Sequence, residues 1–340
     1  MAAHSIPLSV LDQSPIARGD TAVDALANTI DLARHCEALG YHRYWVAEHH
    51  ASPGLAGNAP EALIAALAMK TDRIRLGSGG VMLPHYSPFK VAETFSMLAA
   101  LAPGRIDLGI GRAPGSDQRT AFALQRDRRQ RAPDDFTQSL AELLAYLEDA
   151  MPADHPFASL AKTLPGGGGP VAPWLLGSSP DSAYWAAEAG LPYCIADFIN
   201  PDAAGLADLY RRNFRPNVRL EAPRVMAAVW TIAAPTQEEA EQLALPSRMM
   251  FAHLVRGELI PVPTVAEAVE WVKANPDPAQ RRRTVLGTPS GVREKLLSVA
   301  NEYDADELML VNIMSDHQAR RRSYELVAGE FGLASDANAA

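Results

Sequence analysis

Three consecutive titratable residues, Glu48-His49-His50, follow directly on an apolar run, His42 to Ala47. Groups of this kind at the edge of a core need partners or a task, because burying them alone costs several kcal/mol. If the strand geometry persists, alternation puts Glu48 and His50 on one side and His49 on the other. His and Glu also ligate zinc, but adjacent histidines lack the spacing of a helical zinc motif, so no metal is expected. Three other segments can carry chemistry. Gly77-Ser78-Gly79-Gly80-Val81-Met82-Leu83-Pro84 either lets a flat ligand approach the backbone or forms a glycine-rich bulge. Arg112, in Gly109-Ile110-Gly111-Arg112, can grip an anion with two parallel hydrogen bonds. Gly177-Ser178-Ser179-Pro180-Asp181-Ser182 precedes a helical pattern, where free N–H groups can hold a phosphate or Ser179 can simply cap the helix. Asp12-Gln13-Ser14-Pro15, after the first apolar run, is either mouth lining or an ordinary turn.

What must position these residues is a repeated order of short apolar run and amphipathic stretch, the signature of βα units and a parallel sheet. Runs are expected at Ile6–Leu11, His42–Ala47, Ile74–Gly79, Arg105–Ile110, Ala172–Leu176, Tyr193–Ala196, Arg224–Ala233 and Glu307–Val311. About eight helical patterns alternate with them. A closed (β/α)8 TIM barrel fits this series better than a doubly wound open sheet, with one domain over 1–340 and loop insertions near 112–133, 150–171 and 256–288. Gly166-Gly167-Gly168-Gly169-Pro170 reads as a flexible loop, and 261–288 as irregular around one short helix. In such a barrel the chemistry gathers at the C-terminal strand ends, and every segment named above stands there.

Bulk properties narrow the class. A net charge of −9 and a pI near 5.5 give no field for nucleic acid, and Arg126, Arg128, Arg129 and Arg131 read as a solvated face. Two cysteines, Cys36 and Cys194, make no disulfide framework and read as small buried hydrophobes. With no signal-peptide pattern and no apolar window of about 20 residues, a cytoplasmic protein away from membranes is expected.

In this order the segments resemble the bacterial luciferase-like monooxygenase family. The resemblance rests on Trp45-Val46-Ala47-Glu48-His49-His50, Gly57-Asn58, Gly77 to Pro84 and Pro103-Gly104-Arg105-Ile106-Asp107-Leu108-Gly109-Ile110-Gly111-Arg112. It continues through Gly177-Ser178-Ser179, Trp185 to Pro192 and Leu286-Gly287-Thr288-Pro289. It implies a barrel that uses reduced FMN and O2 to oxidise a small organic substrate, with a separate flavin reductase and a homodimeric state. Matching positions imply Glu48, Ser78, Gly79 and Gly80 at the flavin ring, and Arg112, Ser178, Ser179 and Ser182 at its phosphate. They also imply His49, with His50 beside it, in the catalytic role, and a cis peptide at Gly79-Gly80. Gly111 stands where the luciferases carry a reactive cysteine and Ser178 replaces an acidic residue, so light emission is not expected. The alternatives are hydride transfer with the deazaflavin F420, and a flavin-binding protein without turnover.

Overall fold

A computed structural model of the chain describes residues 6–112, 117–125, 128–129, 134–275 and 283–333. Arg126, Arg131 and the segment 113–115 lie outside the described residues. In chain order the first elements are β1 (Leu8–Asp12), α1 (Ala22–Ala38), β2 (Arg43–Val46), α2 (Pro60–Ala68), β3 (Arg75–Met82), α3 (Pro88–Leu101), β4 (Ile106–Gly111), α4 (Gln118–Leu124) and α5 (Phe136–Leu147). There follow β5 (Ala172–Gly177), α6 (Pro180–Glu188), β6 (Tyr193–Ala196), α7 (Ala204–Asn213), β7 (Val225–Ala233), α8 (Gln237–Val255), α9 (Val265–Ala274), β8 (Val285–Gly287), α10 (Pro289–Tyr303), β9 (Glu307–Val311) and α11 (His317–Phe331). Strands β1 to β6 pair in sequence order, β7 pairs with β6 and β9, and β9 returns to β1, so eight parallel strands close a barrel. The open-sheet alternative is excluded by that closure.

Alternation along each strand divides the apolar residues between two cores. In β2, Tyr44 and Val46 join the shell packed under the helices, whereas Trp45 points into the barrel. Leu308 and Leu310 of β9 face the helices, and Met309 and Val311 face inward with Leu11, Trp174, Met226 and Trp230.

Two loop expectations change. The segment expected to be irregular contains β8, which pairs with Thr231–Ala233 because β7, at nine residues, overshoots the closed barrel and leaves an edge to cover. The glycine run is docked rather than free: Gly168 is buried and receives the Gly104 N–H, and a Cβ there would overlap the Ala99 backbone.

At the N-terminal end the inward layer is ionic. Arg43 donates from Nη1 to Asp107 Oδ2 at 2.7 Å and from Nε to Glu307 Oε1 at 2.7 Å, and both carboxylates are fully buried. Arg75 and the Trp45 indole N–H complete Asp107, while Arg224 and Ser9 complete Glu307. A cleft of about 640 Å³ opens beneath this plug. Removing one member of such a set leaves uncompensated buried charge, a loss of about 3–5 kcal/mol. We therefore predict that Asp107→Asn lowers the urea unfolding free energy by about that amount; a loss under about 1 kcal/mol would show that the plug is not a fold determinant.

Candidate functional site

The opposite end of the barrel is organised around Glu48, two residues past the end of β2 and 1% exposed. Its Oε2 accepts the backbone N–H of Met82, the last residue of β3, at 3.0 Å. Its Oε1 accepts the Tyr86 hydroxyl at 2.9 Å and meets His50 Nε2 at 2.8 Å. One carboxylate thus joins the tips of two strands and the turn after the second. Burial first, and then the Glu48 carboxylate, raises the Tyr86 phenol well above its ordinary value, so it stays a donor.

Although β2 ends at Val46, Glu48 and His50 meet on one side, as expected. The His49 backbone N–H donates to Gly57 O at 2.7 Å, while its Nδ1 is buried and has no hydrogen-bond partner. Burial, with His50 as the second cause, lowers its pKa from 6.5 to about 4. A neutral His49 at neutral pH narrows its expected role: the ring can accept or donate a hydrogen bond but does not stand ready as a charged acid. His85 adds an edge-on ring contact to His50, with centroids 5.9 Å apart.

The glycine-rich segment belongs to a strand longer than expected, since β3 continues through Gly79-Gly80 to Met82. The Gly79-Gly80 peptide is cis, as the resemblance implies. The pairing register with β4 shifts between Ser78 and Val81, so the segment forms a bulge. A side chain at Gly79 would overlap Leu11, and one at Gly80 would meet the Gly109 carbonyl oxygen at 2.8 Å. Strand packing alone thus requires glycine at both positions, whether or not a ligand lies over them. Ser78 is fully buried and its hydroxyl donates to Gly109 O at 2.9 Å, leaving only its backbone to face a bound group.

Arg112 follows β4 and is brought to α6. Its guanidinium carbon lies 5.2 Å from the Trp185 ring centre, and Nη2 pairs with Asp134 at 2.8 Å. At the start of α6, Ser179 is the N-cap and accepts the Ser182 N–H. Ser178 is half-buried, with its carbonyl receiving Asn200 Nδ2 at 3.2 Å. Ser182 is buried, and its hydroxyl donates to Ser179 O at 2.7 Å and meets the Tyr193 hydroxyl at 2.8 Å. Of the serines expected at a phosphate, Ser182 is therefore committed inside the protein, whereas Ser178 and Ser179 lie at the turn itself. The Asp12 turn resolves to structure: Asp12 accepts Arg320 Nη2 and the Ser14 N–H, both at 2.7 Å, and is fully buried.

The sequence reading missed Tyr86 and Asp134. Tyr86 stands only two residues past Pro84, where following the strand end slightly further would have reached it. Asp134 shows no signal, because its partner Arg112 is placed by the fold.

His49 has a pH consequence. Its folded-state pKa of about 4 lies below the ordinary 6.5, so the unfolded chain binds more protons between these values. Stability should therefore fall as pH drops from about 6.5 towards 4, and His49→Gln should flatten part of that fall in urea midpoints. An imidazole NMR titration placing His49 at 6.5 or above would contradict the assignment.

Comparison with known proteins bears on the family and the fold. The profile of the luciferase-like monooxygenases matches residues 7–305. A luciferase-like monooxygenase of Escherichia coli (strain K12) is 42% identical over 331 residues, covering 96% of this chain and 97% of the relative. The N-acetyl-S-alkylcysteine monooxygenase of Bacillus subtilis (strain 168) is 37% identical over 333 residues, covering 95% and 97%. The crystal structure of apo-MsnO8 superposes with a TM-score of 0.88 at 39% identity, covering 98% of this chain and 99% of that one. The fold alone is shared with the FMN complex of the oxygenating constituent of 3,6-diketocamphane monooxygenase from Pseudomonas putida, at 18% identity and TM-score 0.72, covering 96% and 97%. It is likewise shared with an F420-dependent secondary alcohol dehydrogenase, at 15% identity and TM-score 0.63, covering 96% and 99%. With the family profile spanning most of the chain and near-complete alignment to these relatives, the chain belongs to the luciferase-like monooxygenase family.

Proposed function

We propose that the protein oxidises a small organic substrate with O2 and reduced FMN bound across the C-terminal mouth of the barrel. The observation that carries this is His49 Nδ1, a buried ring nitrogen left without a partner at the strand tips. That nitrogen is open to a hydrogen bond with a group bound at the strand tips. The surroundings fit a phosphorylated flavin. Arg112 is partly exposed beside α6, and the free N–H end of that helix favours an anion. Arg112 with Ser178 and Ser179 would hold the phosphate, and the β3 tip at Gly79-Gly80 would face the ring.

Reduced FMN, when bound, supplies the electrons that activate O2. The chain's own contribution is orientation and proton placement. Because the Glu48 carboxylate only accepts, His50 must present its Nε2 proton to it, which leaves His50 Nδ1 as an acceptor in the neutral ring. His50 is thereby poised to take or return a proton at Nδ1, and Glu48 fixes the tautomer. His49, neutral, supplies a hydrogen bond at Nδ1 rather than a charge. The similarity to the N-acetyl-S-alkylcysteine enzyme puts S-alkyl cysteine derivatives first among substrates to try.

The test mixes the protein with chemically reduced FMN and oxygen over a panel of such thioethers. Product carrying one added oxygen is expected, and His50→Gln should lower its rate by about 10² or more with FMN affinity held within about twofold. Reduction of F420 by an alcohol, with no oxygenated product from reduced FMN and oxygen, would contradict the proposal.

A further inference from the structure

The pairing of Arg112 with Asp134 is placed by the core. Phe136, the first residue of α5, is 3% exposed and packs against Trp185 with ring centres 4.9 Å apart. Trp185 in turn carries the Arg112 guanidinium on its ring, with the guanidinium carbon 5.2 Å from the ring centre. Asp134 lies two residues before the Phe136 anchor, so its carboxylate is delivered to Arg112 Nη2 at 2.8 Å by the same aromatic contact that sets the guanidinium. Both side chains reach solvent, at 44% and 74% exposure. An arginine grips an oxyanion through two parallel N–H groups of its fork. A ligand using the Nη2 edge must displace Asp134, and one using the other edge sits beside its negative charge. Either way the carboxylate opposes the anion.

We propose that Asp134 is a stand-in anion for the cofactor phosphate on Arg112, holding the arginine in place between turnovers and weakening retention of the phosphorylated flavin. The inference rests on the assignment of Arg112 to the phosphate. It gives the site a cofactor that exchanges. Asp134 acts through Arg112 and is a positioning residue.

The experiment compares binding of FMN and of riboflavin, which lacks the phosphate, by fluorescence titration with the full-length protein and its Asp134→Asn and Asp134→Glu variants. Asp134 is mostly exposed, so the variants are expected to fold. Asp134→Asn should tighten FMN by about three- to fivefold, the scale of an exposed ion pair, and leave riboflavin unchanged. Asp134→Glu should stay close to the parent, and the gain should shrink at about 1 M salt. If the parent prefers FMN to riboflavin but Asp134→Asn changes neither, the phosphate assignment stands and the role of Asp134 is overturned. If the parent binds both flavins equally, the phosphate assignment of Arg112 fails, and this proposal with it.

Discussion

A carboxylate shut away from water at a strand tip must be met by donors, and Glu48 is met from three directions. Leaving such a group unpaired would cost several kcal/mol. Its donors come from the end of β3, from the turn beyond it and from two residues along its own chain. Satisfying one carboxylate therefore fixes the relative positions of the β2 and β3 tips, holds Tyr86 down as a phenol and sets which way the His50 ring turns. The three consecutive titratable residues divide their labour accordingly. Glu48 is structural in its contacts, His50 is oriented by it, and His49 keeps a buried Nδ1 without a partner.

The two ends of the barrel treat polar groups in opposite ways. At the N-terminal end, Arg43 is fully engaged by Asp107 and Glu307, with Arg75, Arg224, Trp45 and Ser9 completing the carboxylates. At the C-terminal end, a histidine nitrogen is buried without a bond and an arginine is held by an exposed carboxylate at the surface. Closed bonding at one end and open bonding at the other is what a barrel needs when one end is for stability and the other for ligands. At the β1 tip the Asp12 carboxylate is met by Arg320, by the Tyr44 hydroxyl and by the Ser14 N–H. Despite its burial, Arg320 and Tyr44 hold Asp12 below the ordinary carboxylate range.

The barrel itself was legible because the period-two alternation and the order of elements are local properties of the chain. The β8 strand escaped because three residues carry no periodicity, and its existence follows from the length of β7 rather than from its own sequence. The extent of β3 was hidden by Gly79-Gly80, since glycines look like a strand end whether the cause is a ligand or a neighbouring strand. Glu48, His49 and His50 were legible as a group, but their separate roles were not. The partners that decide those roles lie elsewhere: Tyr86 is 38 residues from Glu48, and Arg320 is 308 residues from Asp12. Chemistry written by long-range partners becomes visible only when the fold brings them together, which is also why Asp134 gave no signal.

The measurement that bears most directly on the tie between the two strand tips is hydrogen exchange at the Met82 amide, compared between the parent protein and Glu48→Ala. Slow exchange in the parent and exchange faster by about 10² in the variant, with the amides of β1 and β9 unchanged, is the predicted result. Equal exchange at Met82 in both proteins would mean that Glu48 does not join β2 to β3, and the orientation of His50 would need another cause.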